Sequence, residues 1–336
     1  MTAEDSAHFK ARLIRHTGLT SSAVEAAWPE WWSEAAEASP SAQAELRFSI
    51  ARKLGLDARS LIEEGEPRFV WEDSARFKRF AGDANRDRPI ISSFGTSLGR
   101  ALLQACPEEG QPTGVSAASL RKQILRGSEF VGLTELIGLA WALGIPVVHL
   151  RVYPLSAKKM SAMSVSIGER FAILLARDAL YPAPVAFYLA HEIGHIMLGH
   201  LRDGSSIVDI DMVGDNDPQR DPEEVAADEY ALELLTGSPH TQIEVVGGSR
   251  SARRLASEAL NVGLASRIEP GTLALAYGFS TQLWPTAIGA LRHIYQAPQA
   301  VWSVVNQLAS RQLDWTKLPE ELESYVRAIM EMPANG

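Results

Sequence analysis

The chain has 336 residues, 46% hydrophobic and 22% charged, a globular balance that excludes wholesale disorder and leaves room for about two domains. Its single cysteine, Cys106, excludes an internal disulfide and suits a reducing compartment. The net charge of -9 is local: residues 201–240 hold 11 acids and two bases, leaving 30 of each elsewhere, so charge neither marks nor excludes a nucleic-acid partner.

The opening Met1-Thr2-Ala3-Glu4-Asp5 lacks the basic and apolar regions of a signal peptide, and no uncharged apolar run approaches the roughly 18 residues of a membrane span. The expectation is a cytoplasmic protein with no membrane partner. Residues 1 to about 145 read as amphipathic helices broken at Pro29, Pro40, Pro67 and Pro112. The first 130 form the expected N-terminal helical region. Residues 45–56 have helical spacing, and Asp57 caps a further short helix. That pair looks like the later helices of a degenerate helix-turn-helix, but without a convincing recognition helix; a plain helical bundle is the favoured alternative. Basic groups such as Arg121, Lys122 and Arg126, or Arg250, Arg253 and Arg254, read as solvated helix faces.

A helix over 132–143 ends at Gly144, and the pattern then changes. Residues 146–153 are β-branched and alternating, and residues 162–167 and 170–175 make two more strands joined by Gly168-Glu169. A helix over 183–200 follows, then a loop over 201–220 with a short hairpin near 207–213, then a helix from Pro222 to Leu235. Residues 131–245 form the expected core domain, and residues 246–336 a helical C-terminal region. The expected fold class is α+β: mostly helical, with a zincin-like core of a small β-sheet packed on one histidine-bearing helix and a second helix behind it.

The chemistry concentrates in His191-Glu192-Ile193-Gly194-His195. Positions i and i+4 lie about 40° apart on a helix, so His191 and His195 point the same way and can share one zinc ion. Glu192 lies beside them as the general base for a water. Gly194 keeps the helix slim for a close neighbour. Three polar groups are costly on so apolar a helix unless they are paired or metal-bound. Zinc hydrolases commonly use three protein ligands, so a carboxylate on the following helix is the natural third. Glu223 and Glu224 compete for that role. Glu224 is chosen because Asp228 lies four residues on, on the same face, where it can hold a ligand histidine by its outer nitrogen. The competing reading is a solvated acidic face near a helix N-terminus. His200 does not fit the metzincin spacing, whose third histidine would fall at Leu201. It lies about 140° around the helix from His195 and reads as a surface or helix-end residue. Tyr181 and His240 are candidates to face a transition-state oxyanion. Cys106 is a candidate fourth zinc ligand that would keep the site shut until an effector moves it.

These residues resemble the ImmA/IrrE family of bacterial and phage zinc metallopeptidases. The resemblance runs from Leu143-Gly144-Ile145-Pro146-Val147 through Phe171-Ala172-Ile173-Leu174-Leu175 and Leu189-Ala190-His191-Glu192-Ile193-Gly194-His195. It ends at Glu224-Val225-Ala226-Ala227-Asp228-Glu229-Tyr230-Ala231-Leu232-Glu233-Leu234-Leu235, covering about a third of the chain. Asp228 stands where many members have Asn, and Thr236-Gly237-Ser238-Pro239 replaces a frequent Met-Pro. The resemblance implies site-specific cleavage of a helix-turn-helix repressor, inducing an operon. The long helical N-terminal region is similar to the CapP-type regulators of anti-phage operons, which implies DNA damage or single-stranded DNA as effector. The alternative from another class is a non-catalytic zinc-containing DNA-binding regulator or antitoxin, which would have no need of Glu192.

Overall fold

The computed structural model describes residues 5–63, 65–71, 75–77, 84–107, 113–156, 160–201, 204–209, 221–240 and 251–333. The chain opens with helices α1 (Ser6–Thr17), α2 (Ser21–Ala27), α3 (Glu34–Glu37), α4 (Pro40–Leu54) and α5 (Ala58–Ile62). Strand β1 (Ala75–Phe77) and helices α6 (Ala84–Gln104), α7 (Ala117–Ile124) and α8 (Leu133–Ala142) follow. The middle of the chain is β2 (Val147–His149), β3 (Ala162–Ile167), β4 (Arg170–Leu175), α9 (Pro182–Met197), β5 (Ser206–Asp209) and α10 (Pro222–Thr236). The chain closes with α11 (Ala252–Ser266), α12 (Pro270–Thr281), α13 (Trp284–Ile294), α14 (Val301–Gln312) and α15 (Glu320–Met330). The described residues are therefore mostly helical around one mixed sheet of order β1-β5-β3-β4-β2, an α+β arrangement. None of the described helices is long and apolar enough to cross a membrane.

The hairpin forms where the alternating pattern and the turn predict it. Ile167 pairs with Arg170, and Gly168 takes φ +63° in the two-residue turn between them. Successive residues of β3 serve opposite faces. Met163 and Val165 meet α6 at Gly95 and Gly99, whereas Ser164 turns toward α9. With a helix on each face, β3 and β4 are buried almost throughout, which explains their near-continuous apolar composition.

Three expectations about the frame change. The segment 146–153 stays in the sheet only over β2, pairing in parallel with β4. Beyond His149 its polar groups turn to the C-terminal helices: Asn306 bonds the backbone of His149 on both sides, and Arg151 N donates to the carbonyl of Ile329. The N-terminal region is not wholly helical, because β1 joins the sheet in parallel with β5. A three-residue strand carries too little alternation to read from sequence. Where a hairpin was expected near 207–213, the described residues show strand β5, paired with β3 and β1. The rest lies outside the described residues.

The main core runs from Phe9 through the sheet to Met330 and so draws on all three segments of the expected division. A smaller core joins the start of α9 to α11, α12 and α13. Asp57 caps α5 by accepting from Ser60 N, but α5 has only five residues, and Arg47 and Lys53 of α4 are buried. Arg121 is also buried rather than solvated. Its guanidinium donates to the carbonyls of Leu234 and Leu235 in the last turn of α10, and to that of Arg267 at the end of α11. Those carbonyls have no partner within their own helices, so one cation closes two helix ends.

Candidate metal centre

Pro182 opens α9 at its first helical position, where the missing N–H costs nothing. From Val185 to Met197 every residue is buried. A polar side chain on such a helix must find a partner. The partner helix is α10, which crosses α9 at Gly194. A Cβ added there would lie 3.1 Å from the carbonyl oxygen of Ala227 and 3.3 Å from Cβ of Tyr230. The bare glycine lets the two backbones approach, and that approach brings Glu224 and Asp228 over the histidines.

The structure brings His191, His195 and Glu224 together. Nε2 of His191 and Nε2 of His195 lie 2.9 Å apart. Glu224 presents Oε1 3.1 Å from Nε2 of His195 and Oε2 3.7 Å from Nε2 of His191. Ligand atoms of a four-coordinate ion with bonds of about 2.0–2.2 Å stand roughly 3.3–3.5 Å from one another, so the three separations bracket that value. Two imidazole nitrogens and one carboxylate oxygen, all within 4.8 Å of one another and all buried, could hold a metal ion. The donor set suits a borderline divalent ion. Glu223 is only half-buried and is not one of the three residues in this cluster.

Asp228 lies against the outer nitrogen of His191. Nδ1 of His191 lies 2.8 Å from its Oδ1. An ionised carboxylate only accepts, so the His191 proton sits on Nδ1 and the lone pair of Nε2 faces the cluster. Glu192 is fully buried on the same turn of α9 as His191, and its carboxylate meets strand β3. The hydroxyl of Ser164 donates to its Oε2, fixing the rotation of the carboxylate. Sequence reasoning did not select Ser164. A usable signal exists, since Ser164 and Ser166 are polar positions in an otherwise apolar, wholly covered strand.

His200 requires a correction. It is not turned away from His195; the two Nδ1 atoms lie 2.8 Å apart. The 140° argument fails because α9 stops at Met197. Gly199 adopts φ +71°, its N–H bonds the carbonyl of Ile196, and the N–H of His200 bonds the carbonyl of His195. This pair of closing bonds wraps the chain back over the last turn, a pattern that a left-handed glycine permits.

The remaining candidates lie elsewhere. Cys106 is buried at the end of α6, with Sγ 3.7 Å from the carbonyl oxygen of Gly144, and it is not part of the cluster. Tyr181 precedes α9, ten residues or about 15 Å along the axis from His191, and its ring stacks on Tyr295 at 5.4 Å. It lines an apolar cavity of about 210 Å³ with Phe187, Phe279 and Trp284. Phe187 links that cavity to the centre, its ring centroid being 6.5 Å from that of His191. His240 is exposed beyond the far end of α10, which runs about 18 Å from Glu224 to Thr236. Compared with known proteins, the chain matches no family model, no curated protein and no solved structure.

Proposed function

We propose that the protein is a zinc-dependent endopeptidase of the ImmA/IrrE type, with a zincin-like core, acting on a protein substrate. One observation carries this reading: a buried His191, His195 and Glu224 cluster next to a carboxylate, Glu192, that ligation does not require. A purely structural metal site is closed by its ligands and has no use for a further buried acid on the same turn. The chemistry zinc supplies when bound is Lewis acidity, which polarises a carbonyl and makes water acidic near neutral pH. Glu192 takes the proton of the attacking water and returns it to the departing amine, so that one water is consumed for each peptide bond broken. Ser164 holds Glu192 in place for both transfers, and Asp228 holds His191 in the tautomer that ligates. The apolar cavity beside Phe187 supports a peptide substrate with a large apolar side chain near the scissile bond.

The substrate class we infer is a helix-turn-helix repressor of a stress or anti-phage operon, with single-stranded DNA as a candidate effector. The test is incubation of the zinc-loaded protein with repressors encoded beside its own gene, with and without single-stranded DNA. Cleavage should appear for the native chain and be absent for Glu192→Gln and after chelation. A Glu192→Gln variant that cleaves, or that retains the full biological effect, would refute the catalytic reading.

A further inference from the structure

Each histidine of the centre has one nitrogen turned to the cluster and one turned outward. The outward nitrogen of His191 meets the carboxylate of Asp228, and that of His195 meets a second imidazole, His200. We propose that His200 is a positioning residue for the metal centre: a neutral acceptor that fixes the tautomer and ring plane of His195. The inference rests on the zinc reading above and extends it to a residue outside the ligand set.

The direction of the bond follows from the cluster. To offer a lone pair at Nε2, neutral His195 must carry its proton on Nδ1. That proton points at Nδ1 of His200, 2.8 Å away, which must therefore accept. His200 is then the tautomer protonated at Nε2. The backbone enforces this pairing, because the His200 N–H is already tied to the carbonyl of His195 by the closing turn at Gly199.

The choice of residue also has a reason. Two acids, Glu224 and Asp228, already meet the two ligand imidazoles, and a third, Glu192, is buried on the same turn of α9. A further carboxylate would add negative charge to this crowded, poorly solvated region, which is costly. An imidazole accepts the same hydrogen bond with no added charge. The two ligand histidines are thus held by unlike partners, one anionic and one neutral.

The experiment compares the full-length native chain with His200→Leu and His200→Asn. Asn places Oδ1 where His200 has Nδ1, and Leu has the same shape with no acceptor. Zinc affinity is measured by competition with a chromophoric chelator, and the visible spectrum of the cobalt form reports ligand geometry. Loss of an outer hydrogen bond to a ligand histidine weakens metal binding about 10–100-fold. His200→Leu should show that loss with an altered cobalt spectrum, and His200→Asn should recover most of it. Equal affinity in His200→Leu and the native chain overturns the proposal, as does an equal loss in both variants, which would mean packing alone. Should His200→Leu fail to fold, nitrogen-15 shifts of the native, zinc-loaded imidazoles decide, and a His200 protonated at Nδ1 overturns it. A native chain that binds neither zinc nor cobalt would instead remove the zinc reading itself, a result distinguishable from all of these.

Discussion

The crossing of α9 and α10 can be perturbed by a single methyl group. In Gly194→Ala the new Cβ would sit 3.1 Å from the Ala227 carbonyl oxygen, where ordinary contact begins near 3.4 Å. The neighbours it meets are helix backbone and a Cβ rather than the end of a flexible side chain, so α10 has to retreat by about 0.3 Å. Metal–ligand distances are held within about 0.2 Å, so this retreat carries Glu224 out of range. Metal affinity should fall on the order of 10-fold, or about 1.4 kcal/mol. Global stability should fall by about 0–2 kcal/mol once the propensity gain is set against the overpacking. Alanine gains up to about 1 kcal/mol of helix propensity over glycine, against about 1–3 kcal/mol for overpacking. The control is Gly138→Ala in α8, where an added Cβ meets nothing within 4 Å. That variant should gain roughly 0.5–1 kcal/mol and leave metal affinity alone. Chelator competition and urea unfolding measure the two quantities on the same samples. Unchanged affinity in Gly194→Ala, or an equal drop in both variants, would refute the claim that this close approach sets the position of Glu224.

Four other outcomes are expected. Glu224→Ala should reduce bound metal from about one equivalent to none after gel filtration, by elemental analysis; a retained equivalent would show that the histidines suffice. Stripping the metal should destabilise the native chain by about 4 kcal/mol relative to protein at an ion concentration 1,000 times Kd, with a matching drop in melting temperature. Arg121→Met leaves the terminal carbonyls of α10 and α11 without their shared cation and should cost about 3 kcal/mol in urea. A change below about 0.5 kcal/mol would mean that water replaces the guanidinium. Burial lowers the Lys53 pKa to about 8, an effect only partly offset by Glu321. Between pH 8 and 10.5 the unfolded chain keeps the Lys53 proton and the folded chain loses it, so this residue's contribution makes stability rise with pH across that window. The rise should reach about 3 kcal/mol and be missing from Lys53→Met; parallel pH profiles for the two chains would contradict it.

The candidate His-His-Glu cluster was legible because its geometry is local. His191 and His195 are fixed by one helix, and Glu224 with Asp228 by another, each pair four residues apart. Gly194 even announced that a neighbour comes close. What could not be read depends on where elements end or on contacts distant in sequence. The position of His200 turns on the stop at Gly199, and a helical wheel drawn past that stop gives the wrong face. Ser164 reaches Glu192 across 28 positions. Arg121 looks like a surface cation until α10 and α11 end against it, 113 to 146 positions away. Cys106 shows the converse: a thiolate is an excellent ligand by chemistry, yet its place in the chain puts it beside the Gly144 carbonyl in the core.

The pairing of β1 with β5 determines how small a self-standing part of this protein can be. A fragment beginning at residue 131 keeps every residue of the candidate cluster, but it lacks the strand that closes the β5 edge and the helix, α6, that covers one face of β3 and β4. It would present an open sheet edge beside an uncovered apolar face, the combination that recruits other chains into aggregates. The minimal soluble unit therefore has to retain the segment from β1 through α6, although no residue of the candidate cluster comes from it. Deletions aimed at finding a sensor in the N-terminal region are cleanest when they stop short of β1.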